Sequence, residues 1–194
     1  MPRHDRVAFV GVTSGHFASF VSMQRLRRLN PWTAPSLVCF SIEQPLQSLV
    51  RELNAFAPTL LATYPTSAVM LADEAARGSL KIALWEVWTG GETLRELVRG
   101  KVESAMGCRL RNSYGASEFL ALGWECSEGN MHANSDWVIL EPVDRLHRPV
   151  ALGEPSHTTL LTNLANHVQP VIRYDIGDRI TLHAATCPWV HHCP

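Results

Sequence analysis

A change of rhythm near residue 115 limits the fold more than any single motif does. Before it, short apolar runs alternate with helical stripes. Arg6–Val12, Leu37–Phe40, Leu60–Thr63 and Arg109–Tyr114 read as strands, and so does Leu80–Trp88, interrupted by Glu86. Between them, Ile42, Leu46, Leu49, Val50, Leu53 and Phe56 recur at helical spacing up to Pro58. Thr66–Arg77 is helical by composition, with Gly78 at its C-terminal end, and a further helix runs to about Met106 before Gly107. Ser41 with Gln44, and Thr93 with Glu96, have the spacing of reciprocal helix caps. After Gly115 the runs Trp137–Glu141, Thr158–Asn163, Val171–Tyr174 and Arg179–His183 are strand-like, separated by Pro, Gly, Asn and Asp. The pattern predicts a mixed α/β fold: strand–helix alternation followed by a mainly β segment.

Composition excludes several classes. The 194 residues are 46% hydrophobic and 18% charged, enough for one domain with a real core and too apolar for a disordered chain. Seventeen basic residues face 18 acidic ones without a basic stripe. The run Arg25–Arg28 reads as solvated surface, so no nucleic acid is expected as a partner. No apolar run reaches the ~18 residues of a membrane span. The opening Met1–Arg6 lacks the apolar stretch of a secretory signal. Five cysteines at an odd count, with no Asn-x-Ser/Thr site, predict a reduced, cytoplasmic protein.

Three polar, glycine-bearing segments follow predicted strands, where α/β sheets bind ligands. Thr89-Gly90-Gly91-Glu92 offers exposed backbone ahead of a helix. Tyr114-Gly115-Ala116-Ser117-Glu118 combines a ring that can stack on a base, a hydroxyl that can donate to a phosphate and a carboxylate that can hold Mg²⁺. In Arg173–Arg179, Asp178 at a strand end can take two ribose hydroxyls. Each segment read alone is also an ordinary turn.

Their order and spacing, with the run Thr162–Asp178 and the stretch Trp124 through His132 to Glu141-Pro142, resemble the adenylate-forming acyl-CoA synthetases. Within that superfamily the resemblance is to the phenylacetate–CoA ligase-like branch, from about Val7 to Pro188. It implies part of the large N-terminal domain of such an enzyme. It implies that Gly90, Gly91 and Glu92 line the adenine pocket, that Tyr114 stacks near the base beside Gly115, and that Ser117 contacts the α-phosphate. Glu118 then binds Mg²⁺ and Asp178 the ribose. The implied reaction joins a small carboxylic acid to AMP from ATP, then passes the acyl group to a thiol, usually coenzyme A.

Two parts of the family pattern are missing from these residues. The Gly/Ser/Thr-rich phosphate loop is absent, Thr13–His16 resembling a later stretch. Lys81 and Lys101, the two lysines, lack the context of the catalytic lysine. The reading is therefore an internal fragment, inactive alone. The alternatives are a non-enzymatic nucleotide-binding module and one half of a split ligase with a complementing polypeptide. Cys126, His132, Cys187 and Cys193 are candidate ligands of a structural Zn²⁺, with His191 and His192 as spares. Relatives often carry Cys-Pro-Cys-Gly where this chain has Cys187-Pro188-Trp189-Val190. Residues 189–194 lie outside the resemblance, as a small deletion in the reading frame would leave them. Cys39 and Cys108 read as buried thiols.

Overall fold

The computed structural model describes residues 5–15, 17–184, 187 and 188. His16 and the tail 189–194, both discussed above, lie outside the described residues. The chain forms two compact units, residues 1–113 and 114–194.

The first unit alternates strand and helix: β1 (Val7–Gly11), α1 (Ala18–Leu29), β2 (Leu37–Ser41), α2 (Leu46–Phe56), β3 (Leu60–Thr63), α3 (Pro65–Ala76), β4 (Glu86–Thr89), α4 (Glu96–Met106) and β5 (Arg109–Ala116), whose last residues belong to the second unit. The strands are parallel, in the order β2-β1-β3-β4-β5. Successive strand residues point to opposite faces. Ala8, Val10, Leu61, Val87 and Leu110 therefore join Leu49, Leu53, Leu71 and Val102 of the helices in one core. Phe9, Leu60 and Ala62 form a second core, against Phe20 and Met23 of α1 and against Trp88. Both faces of the sheet are covered, which is why its strands read as nearly continuous apolar runs.

Four local expectations are corrected in this unit. Ser41 does not cap α2: its hydroxyl accepts from the Glu43 N–H at 3.2 Å, and Gln44 reaches Glu52. Pro45 disfavours a helical Gln44, so the helix starts at Leu46. Thr93 does not cap α4, which opens at Glu96 with Arg95 as its cap residue, and the Glu96 carboxylate pairs with Arg99 at 3.5 Å. The stretch 80–85 is not strand. The Asn54 side chain holds it, donating to Ser79 O at 2.8 Å and accepting from Lys81 N at 2.7 Å, while Leu80 and Leu84 stay in the core. Glu86 does not interrupt β4 but begins it, buried, accepting from Arg111 Nε and Trp88 Nε1, each at 2.5 Å. The ends at Gly78 and Gly107 are as expected, both in left-handed conformation.

The second unit is antiparallel. β6 (Phe119–Glu125), which the pattern did not reveal, pairs with β7 (Met131–Ala133). β8 (Val138–Val143), β9 (Thr158–Asn163) and β10 (Val171–Asp175) form a sheet with β9 in the middle. Leu122, Val138 and Leu161 make its core, with Tyr114, Leu140 and Ile176 packed around them. The expected strand at Arg179–His183 is absent. Ser156 takes the place of a ladder there: its N–H donates to Ile180 O and its hydroxyl accepts from Ile180 N, each at 2.9 Å.

Candidate nucleotide site and thiol cluster

In the first unit the parallel strands all end at one edge. The chain order reverses between β1 and β3, which flank each other in the middle of the sheet. Ligands of α/β sheets lie outside the carboxyl ends at such a reversal. Tyr64 sits there, directly after β3. A Cβ on Gly91 would come within 3.3 Å of its ring, and one on Gly11 within 3.4 Å of its hydroxyl. Gly90 packs as tightly on Ser113: a Cβ would meet Ser113 Oγ at 2.5 Å, and that hydroxyl donates to Thr89 O at 3.0 Å. Glu92 has structural work of its own. Its carboxylate accepts from Thr66 N at 3.0 Å and Thr66 Oγ1 at 2.9 Å. Helix α3 has no side-chain cap from its own cap residue, Tyr64, and Pro65 has no N–H. Glu92 thus satisfies an open donor at the start of α3.

In the second unit the resemblance residues of the β5–β6 hairpin and of the segment after β10 converge. Tyr114 donates its phenol to Asp178 Oδ2 at 2.7 Å across 64 positions of sequence. Burial first, then the Asp178 carboxylate, push that phenol well above its ordinary value. The Asp178 backbone is fixed independently, its carbonyl accepting from Thr159 Oγ1 at 2.8 Å. Gly115 is required by the hairpin itself, because a Cβ there would fall 2.1 Å from Leu120 O. Ser117 and Glu118 form the turn, with Ser117 exposed. Asn163 holds the turn through its side chain, Nδ2 donating to Glu118 O at 3.2 Å while Oδ1 accepts from the N–H groups of Ala165 and Asn166. Among the described residues neither the Ser117 hydroxyl nor the Glu118 carboxylate has a hydrogen-bond or ion-pair partner. An oxygen donor without a competing cation suits Mg²⁺ chemically.

Tyr64, Ser113, Thr66 and Asn163 were not singled out from the sequence. Tyr64 lies between the expected strand Leu60–Thr63 and the expected helix Thr66–Arg77. The other three make contacts between distant segments, which no local pattern encodes.

The thiols divide into two kinds. Cys39 and Cys108 are half-buried, and burial raises both, Cys108 to about 11. Cys126 and Cys187 are buried with their sulfurs 3.7 Å apart, and Asn130 Nδ2 lies 3.5 Å from Cys187 Sγ. Burial pushes the Cys126 thiol up, but the Asn130 and Glu128 backbone and the Cys187 side chain outweigh it and hold the thiol below its ordinary value. His132 joins them, the three ligand atoms lying within 4.8 Å of one another.

No family model matches the chain. Among curated proteins, CapK of Staphylococcus aureus is 26% identical over 139 residues, 71% of this chain and 29% of its own length. Phenylacetate-coenzyme A ligase of Thermus thermophilus is 29% identical over 149 residues, 72% of this chain and 33% of its own. The chain thus spans about a third of these relatives. Among solved structures, 2-hydroxyisobutyryl-CoA ligase in complex with 2-HIB-AMP and CoA has the same fold over 93% of this chain and 41% of its own, with a TM-score of 0.75 at 22% identity.

Proposed function

We propose, for a chain that belongs to the adenylate-forming superfamily of acyl- and aryl-CoA ligases and spans about a third of its curated relatives, that it carries nucleotide contacts of an ATP-dependent carboxylate–CoA ligase. The hydrogen bond between Tyr114 and Asp178 carries this reading. It orients a half-buried ring and a carboxylate together, beside a turn whose hydroxyl and carboxylate have no partner among the described residues. The Tyr114 ring offers the adenine a face, and the second oxygen of Asp178 accepts from ribose hydroxyls. The Ser117 hydroxyl donates to the α-phosphate. In the first unit Gly90 and Gly91 bring bare backbone to the end of β4, with Glu92 acting mainly as the cap of α3.

In the reaction of the whole enzyme, a small carboxylate attacks the α-phosphate of ATP. The P–O bond to pyrophosphate breaks and an acyl-AMP forms. A thiol, that of coenzyme A, then displaces AMP. Glu118 would hold Mg²⁺, whose charge neutralises the phosphate oxygens. What these residues contribute is position: base, sugar and α-phosphate are fixed by groups already oriented.

Residues 1–194 contain neither the phosphate loop nor the catalytic-lysine context, so this polypeptide alone is expected to bind AMP without forming acyl-AMP. Loss of one such electrostatic donor typically costs ~3–4 kcal/mol of barrier. Those parts would come from further residues of the same chain or from a complementing polypeptide. We place the protein in the cytoplasm, where thiols such as Cys126 and Cys187 stay reduced. No described helix is long and apolar enough to cross a membrane.

Photolabelling with 8-azido-AMP tests the reading. Label should map to the peptide containing Tyr114–Glu118 and be suppressed by AMP. Label spread over other peptides, or unaffected by AMP, would overturn it.

A further inference from the structure

The nucleotide reading makes no use of the buried Cys126 and Cys187 or of the half-buried His132. The β6–β7 hairpin builds two corners of this cluster. β6 ends at Glu125, so Cys126 opens the connecting turn, and His132 stands on β7 opposite Trp124. The turn is closed by Cys126 N donating to Asn130 O at 2.9 Å and by Gly129 N donating to Cys126 O at 3.1 Å, with Gly129 in a left-handed conformation (φ 78°). The third corner, Cys187, lies outside any strand. It reaches the hairpin 61 positions away in sequence.

The spacing matches a tetrahedral metal. Zinc–sulfur bonds of ~2.3 Å at a tetrahedral angle set two sulfurs ~3.8 Å apart. The observed separation of Cys126 Sγ and Cys187 Sγ is 3.7 Å, and the His132 ligand nitrogen falls within the same 4.8 Å group. A disulfide would need the sulfurs at ~2.05 Å. Soft sulfur and imidazole donors select zinc over Mg²⁺ or Ca²⁺. The Asn130 amide at 3.5 Å from Cys187 Sγ is an outer-shell donor of the kind that orients a thiolate ligand.

We propose that Cys126, His132 and Cys187 bind one zinc ion, which pins the segment at residue 187 to the β6–β7 hairpin. The three described donors fill three of the four tetrahedral positions, and a further ligand completes the set. The site is structural: it cross-links Cys187 to a hairpin with which, among the described residues, its segment has no strand pairing. Binding displaces the thiol protons to solvent, with no oxidant or reductant involved.

The test is metal analysis of the 194-residue chain purified from zinc-supplemented medium under reducing conditions, followed by cobalt substitution. The expected result is about one zinc per chain, falling at least tenfold in Cys126→Ser and in Cys187→Ser and unchanged in Cys108→Ser. The cobalt form should show intense visible bands of a tetrahedral ion and thiolate-to-metal charge transfer. Should the serine variants not fold, the wild-type cobalt spectrum and His132→Asn, checked by circular dichroism, decide alone. A folded wild-type chain without zinc and without a thiolate–cobalt band overturns the proposal. So does zinc that survives loss of both cysteines, and so does a Cys126–Cys187 disulfide recovered from the reduced preparation. None of these outcomes bears on nucleotide binding.

Discussion

Tyr114 and Asp178 illustrate what one hydrogen bond adds to two recognisable residues. Each was readable by itself, one as a ring for a base and the other as an acceptor for ribose. The bond between them was not readable, because spacing along the chain says nothing about which turn meets which hairpin. The pair also has a pH signature. Folding favours the protonated phenol, so the contribution is complete below the ordinary phenol value of about 10 and is lost as pH rises through the higher folded-state value. Urea unfolding across alkaline pH should show the wild type losing stability more steeply than Tyr114→Phe. Parallel curves for the two proteins would contradict the burial and bonding assigned to this phenol.

At the level of elements, the periodic signals held where packing confirmed them and failed where a local bond competed. The stripe of α2 is real because Leu49, Val50 and Leu53 are buried. Its cap was misread because Pro45 resets the helix start. The run 80–85 looked like a strand because Leu80 and Leu84 are core residues, yet Asn54 supplies the backbone partners that a neighbouring strand would have given. The expected strand after Asp178 fails in the same way, through Ser156. The unforeseen β6 follows from Gly115, whose missing side chain lets the two arms of the hairpin close against Leu120 O. Glu92 shows how a loop assigned to a ligand also serves a helix. Glu92→Gln weakens the charge-assisted cap on Thr66 and should lower stability by about 1 kcal/mol. A thermal melt checks this. The account expects the melt to change more than AMP affinity does, and the reverse order would make Glu92 a ligand group first.

For the whole molecule, the break in rhythm near residue 115 corresponds to the boundary between two compact units, one parallel and covered on both faces, the other antiparallel. The change from strand–helix alternation to strand alone was legible because burial on two faces and burial on one leave different patterns in sequence, whereas the sequence reading had one domain where the fold has two compact units. The candidate site residues were proposed chiefly through a resemblance in motif order, and their contacts became visible in the fold. The central claim is that these residues bind a nucleotide through Asp178 without needing the parts that perform chemistry. Calorimetric titration of the chain with AMP, with Asp178→Ala in parallel, tests it most directly. The variant keeps the backbone contact from Thr159 to residue 178, so its fold should survive, as circular dichroism can verify. The account predicts a saturable signal for the wild type that disappears in the variant. A folded wild type without heat of binding, or a variant that binds AMP equally well, would contradict it.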